Sequence, residues 1–162
     1  MTTDRAAVEK IARQALSGRG AHVETVSALE QLDWKLVGSR PAGVPHSIFQ
    51  LVNHMIYWQD FSLRWLDGRK PATPEHASDS WPGSESPKTA EEWGEAVDQF
   101  RVGLEELNRR AKESDLFSEL GKKTALEILQ LIASHNSYHV GQVALLRRML
   151  GAWPPPGGGA TW

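Results

Sequence analysis

Residues 124–151 read TALEILQLIASHNSYHVGQVALLRRMLG, and the fold turns on this stretch. Thr124 followed three residues later by Glu127 has capping-box spacing, in which each side chain satisfies a backbone N–H that the first helical turn leaves bare. Arg147 and Arg148 suit the negative end of a helix dipole, and Gly151 is a natural stop. Between these signals, Ile128, Leu131, His135, Tyr138/His139, Gln142, Leu145/Leu146 and Met149 recur at helical spacing and predict one stripe of a long helix to about Leu150. From Ile128 to Leu146 there is no Asp, Glu, Lys or Arg, yet seven of the nineteen positions are Gln, Ser, His or Asn. That is too polar for a membrane span. It reads as a buried helix with polar groups that need partners.

Working upstream, Thr89 can cap another helix, with Glu91 and Glu92 in its first turn. Trp93, Val97, Phe100, Leu104, Leu107 and Ala111 then form an apolar stripe that no polar residue enters. Residues 71–87, PATPEHASDSWPGSESP, carry four prolines and no periodicity. Fully extended, such a loop reaches roughly 55 Å. It can travel the length of a bundle, so the helices on either side need not be antiparallel neighbours. It is a crossover connection or, since long structureless loops are often functional, a lid.

Before that loop, Ser47 and Gln50 have capping-box spacing behind Pro45. Leu51, His54, Trp58, Phe61 and Trp65 follow on one helical face, closed by Asp67-Gly68. Residues 47–67 span roughly 31 Å as helix. At the start of the chain, residues 3–17 read as a short helix through Val8, Ile11, Ala12 and Ala15, interrupted by Gly18 and Gly20. A second apolar stretch places His22, Val26 and Leu29 on one side, passes Leu32, Trp34 and Leu36, and ends in the breaker-rich GSRPAGVP. The tail, AWPPPGGGATW, has a Trp near each end. With no repeat and no convincing strand, the expectation is an all-α four-helix bundle forming a single domain over residues 1–162.

Composition narrows the function. At 40% hydrophobic and 23% charged residues, the chain can bury one core and is not intrinsically disordered. Eighteen basic against 20 acidic side chains argue against a polybasic binder of nucleic acid or membrane. Cysteine is absent, which excludes disulfides, cysteine–zinc sites, iron–sulfur clusters and a cysteine nucleophile. MTTDRAAVEK does not look like a signal peptide, and a cytoplasmic location is expected.

Three of the six histidines fall on apolar stripes: His54, His135 and His139. The last two are four apart, so their rings project from one face on successive turns. A zinc-protease helix has the same spacing with Glu directly after the first His; here the residue is Asn136, so a standard metalloprotease is excluded. One histidine on an apolar face is usually a hydrogen-bonded core residue. Three together are costly to bury without partners, and a shared cation solves that problem. Neutral imidazoles suit Zn, Ni, Fe(II) or Cu rather than Mg or Ca; Zn or Ni is the expected ion, with Fe or Mn as alternatives. Three ligands leave a coordination position open for water or substrate, as in catalytic rather than structural zinc sites. Gln142 and Tyr138 are candidates to support the ligands or contact substrate. Trp58 is read as packing. His22 and His76 are reserve ligands, and His46 is read as a surface residue.

PHSIFQLVNHMIYWQDFSLRWLDG (45–68) and HNSYHVGQVALLRRMLGAWPPP (135–156) resemble the second helix, and the fourth helix with its tail, of the DinB/YfiT-like four-helix-bundle proteins. The resemblance covers about a third of the chain closely. It implies an up-down-down-up topology, with the long loop between helices two and three. It also implies three metal-binding histidines at His54, His135 and His139, and a homodimer, for which the abundant aromatic side chains also speak. Some such proteins are metal-dependent transferases or isomerases using low-molecular-weight thiols such as bacillithiol or mycothiol. The expected function is therefore a metal-dependent enzyme, a thiol-dependent S-transferase or a hydrolase, acting on a small electrophile. The alternative is a non-catalytic metal-binding stress-response protein. Neither nucleic acid nor membrane is an expected partner.

Overall fold

A computed structural model describes residues 2–159, with the side chains of Thr2 and Thr3 excepted. The last Trp of the tail, Trp162, lies outside the described residues. The chain forms four helices, α1 (Thr2–Ser17), α2 (Ile48–Leu66), α3 (Ala90–Glu113) and α4 (Ala125–Met149), with short 3₁₀ turns at Ser27–Leu29 and Ala77–Ser80. Among the described residues there is no strand, only an isolated bridge between Glu119 and Thr124. The three long helices start where their caps place them. Ser47 with Gln50 and Thr124 with Glu127 form complete capping boxes, and Thr89 accepts from the Glu92 N–H.

The contacts at the helix ends set the helix directions. Ser47 Oγ donates to the Glu85 carbonyl and Arg40 pairs with the Glu85 carboxylate, joining the start of α2 to the approach to α3. At the other end, Asp67 pairs with Arg110. α2 and α3 therefore run the same way, and residues 67–89 cross the length of the bundle. Arg5 in α1 donates to the Ser114 carbonyl just beyond α3, so α1 runs against α3. The end of α2 (Trp65) and the start of α4 (Ile128) line one cavity, so α4 runs against α2. α4 packs on α1 and α2, and α3 on α2 and α1, which leaves α3 and α4 diagonal.

On α3 the stripe is buried as its spacing implies: Phe100 and Leu107 are fully enclosed and Val97 packs at the edge. On α4 the facing differs from the sequence expectation. Leu131, Tyr138, Leu145 and Met149 are more than half exposed or close to it, whereas Leu129, Ile132, Ala133, Asn136, Val140, Val143 and Arg147 are buried. The helix is apolar around much of its circumference, so periodicity alone does not select a face. Packing against both α1 and α2 turns the arc with the smaller Ala133, Val140 and Val143 inward. Residues 22–36 are not a helix. Gly18 and Gly20 take positive φ, Thr25 Oγ1 donates to the Leu16 and Ser17 carbonyls, and Asp33 accepts from the Lys35 N–H. These bonds hold a looped segment whose Val23, Leu29 and Leu32 still enter the core. Buried Arg147 ties that segment down, donating to the carbonyls of Ala28, Glu30 and Ala152.

Candidate metal centre

α2 presents His54 to α4, where His135 and His139 stand one turn apart. The ligand-capable nitrogens of the three lie within 4.8 Å of one another. Ring centroids are separated by 5.0 Å (His54–His135), 4.8 Å (His54–His139) and 4.5 Å (His135–His139). Among the described residues no other group of three or more His or carboxylate side chains comes together in this way.

Hydrogen bonds leave one nitrogen of two of these rings free to ligate. His54 Nδ1 is 3.0 Å from the Ser80 carbonyl, and that oxygen can only accept, so Nδ1 carries the proton and Nε2 has the lone pair. His139 Nδ1 is 2.7 Å from Gln142 Oε1, which assigns the same tautomer with the amide placed this way. His54 Nε2 faces His135 Nε2 at 3.1 Å. Buried His135 Nδ1 has no partner. Lone pairs converging from separate helices, with the opposite edges of the His54 and His139 rings anchored, are the donor set that a divalent transition metal requires. The residues present fit such an ion.

Electrostatics agree. Burial pushes His54 down to about 4, helped by His139 and His46 and opposed by the Ser80 carbonyl. Burial, then the neighbouring His139 and His54, push His135 down to about 4 as well. His139 is lowered by burial, with its bond to Gln142 acting in the other direction. At neutral pH the imidazoles of His54 and His135 are thus uncharged, as ligation demands.

The long loop supplies what sequence reasoning missed. Besides the Ser80 carbonyl, Trp81 slides its indole between two imidazoles, 3.9 Å from His54 and 3.6 Å from His46 and nearly parallel to both. His46 is therefore part of a stack behind the site rather than a simple surface residue. The only sequence signal was a tryptophan inside an otherwise polar, proline-rich loop. Trp58 stands edge-on to His54 at 6.3 Å. Tyr138 is 67% exposed on α4, and its ring stands edge-on to His139 at 5.0 Å. It offers no ligand atom to the cluster. Nor does either reserve ligand. His22 Nδ1 bonds to the Val23 carbonyl and Nε2 to Ser137 Oγ, and the ring packs where a side chain on Gly18 would be. His76 lies exposed at the start of the 3₁₀ turn in the loop.

From His135 a cavity of about 640 Å³ extends between α2 and α4, walled by Trp58, Phe61, Trp65, Ile128 and Leu131. The apolar face expected of α2 is thus divided: Leu51 enters the core, and Trp58, Phe61 and Trp65 line this space. No helix among the described residues is long and apolar enough to cross a membrane.

No curated protein and no solved structure matches the chain significantly. A family model, that of the DinB superfamily, matches residues 19–143, from the looped segment after α1 through α2 and α3 into α4 and across all three clustered histidines. That span is more than half of the chain, and the chain belongs to the DinB superfamily.

Proposed function

We propose that the protein is a metal-dependent enzyme that adds a low-molecular-weight thiol, or water, to a small electrophilic substrate. The observation that carries this reading is the position of the three-histidine cluster. It is anchored from behind by Ser80, Trp81 and Gln142 and has His135 on the wall of an apolar cavity. A structural metal site would be closed by a fourth protein ligand, and neither His22 nor His76 joins the group. A divalent metal such as Zn or Ni held by the three imidazoles would supply Lewis acidity at its remaining position. The chain's own contribution is orientation and exclusion of water. The Ser80 carbonyl and the Gln142 amide hold the tautomers, Trp81 covers the His54 ring, and the cavity gives an apolar body a place to dock.

The test combines metal analysis of the purified protein with thiol-transfer and hydrolysis assays across several cellular thiols, on wild type and His139→Ala. Stoichiometric metal and activity lost together in the variant are expected. Wild type that neither binds Zn or Ni nor shifts its melting temperature with them would remove the basis of the proposal.

We also propose that the chain pairs with a second copy of itself. Exposed Leu131, Tyr138, Leu145 and Met149 repeat at seven- and four-residue spacing along α4, the spacing of a helix-pairing seam. A two-fold axis would set this stripe against its own copy. Light scattering should give twice the 18.0 kDa chain mass, reverting to the monomer in Leu145→Glu. A monomeric wild type at micromolar concentration would refute the pairing.

A further inference from the structure

The cavity beside His135 has a chemical polarity of its own. Its walls are mainly indole, phenyl and branched aliphatic groups with Ser62 and Thr73 among them, while Lys122 and Lys123 stand on the turn that closes its far end. Gly121 makes that closure possible. It adopts φ +83, and a Cβ there would lie 3.3 Å from the Trp65 ring, so only glycine lets the turn lie close over the indole. The carboxylate one turn beyond, Glu127, is bonded to the Thr124 N–H and hydroxyl and so is committed to the helix cap. α4 rises roughly 16 Å from Thr124 to His135, which sets the separation between the basic end and the histidine end.

We infer that this cavity binds an elongated amphipathic carboxylate, with its apolar body along Trp58, Phe61 and Leu131 and its anionic end at Lys122 and Lys123. The end remote from the carboxylate then faces the histidine cluster. The inference deepens the proposed function by naming the substrate class, and it rests on that reading for its catalytic meaning. The binding itself needs only the cavity. Charge complementarity selects the anion, and the aromatic walls select a flat or extended apolar body.

The experiment titrates the full-length protein, with metal and separately with chelator, against decanoate, decan-1-ol and decylamine, following tryptophan emission and heat. Chelator removes any direct ligation of the carboxylate by metal. Decanoate should bind more tightly than the alcohol, and the alcohol more tightly than the amine. In Lys122→Glu/Lys123→Glu, whose changes are at exposed positions, decanoate should weaken about tenfold, as expected for reversing two exposed charges. The alcohol should be unchanged and the amine improved. Thr73→Trp, filling the cavity from an exposed position outside the α4 stripe, should weaken all three. Equal affinity of alcohol and carboxylate, or a double variant that binds decanoate like wild type, would overturn the inference. Preferential decanoate binding by a protein that takes up no metal would leave the inference standing and sink the enzyme reading; metal uptake with no carboxylate preference would do the reverse.

Discussion

Replacing Gln142 by Leu removes the acceptor for His139 Nδ1, 2.7 Å away, without touching a ligand atom. Loss of such an outer partner typically weakens metal binding about 10–100-fold, because the ring loses both its fixed tautomer and some basicity. Metal present at about 100 times the wild-type Kd stabilises the folded protein by about 2.7 kcal/mol. With affinity about thirtyfold weaker, the same concentration contributes only about 0.9 kcal/mol, so the variant loses nearly 2 kcal/mol of metal-dependent stability. For a chain of this size that is a melting temperature about 4–8 °C lower with metal present. Without metal only the hydrogen bond from buried His139 Nδ1 is lost, a cost of about 1 kcal/mol, because the Gln142 side chain is itself half-buried. Gln142→Glu should keep or tighten binding, since a carboxylate accepts the same proton more strongly. The assay is thermal melting at fixed Zn or Ni and in chelator, paired with metal titration of all three proteins. Equal metal affinity in wild type and Gln142→Leu would refute the reasoning. So would a metal-free destabilisation as large as the metal-bound one, because Gln142 would then be acting as packing.

In chelator, stability should fall as pH drops from about 6.5 toward 4. The unfolded histidines take up protons near 6.5, while folded His54 and His135 resist until about 4. Two such groups give a slope of up to about 2.7 kcal/mol per pH unit within that window and none from them above it; urea unfolding at pH 7, 6 and 5 checks this, and a flat profile contradicts it. Arg147→Met should leave the Ala28, Glu30 and Ala152 carbonyls without their donor. A loss of about 3–5 kcal/mol is expected, or a melting temperature lower by about 10 °C, whether or not metal is present; a change of only a degree or two would mean that the looped segment holds itself in place.

Much of the architecture was legible because its causes are local. Capping boxes at Ser47/Gln50 and Thr124/Glu127 act between residues three apart, so they carry the helix starts wherever the helices go. The stripe of α3 is legible because its other faces are densely charged and only one arc can be buried. His135 and His139 were a recognisable pair because a helix puts residues four apart on one face, and His54 stood out as a polar interruption of an apolar one. The facing of α4 is different in kind. Its apolar residues surround the helix, so the choice between the Leu131/Tyr138/Leu145 side and the Ala133/Val140/Val143 side depends on which neighbours it meets. Residues 22–36 have a spacing compatible with helix, but glycine conformations and bonds from Thr25, Asp33 and Arg147 win there. Ser80 and Trp81 reach the histidines only because α2 and α3 run parallel, which drags the connecting loop back along the bundle past His54. Periodicity and capping are encoded within a few residues of chain. The anchored tautomers and the cavity ending at Lys122 and Lys123 arise between segments distant in sequence, where no local spacing records the contact.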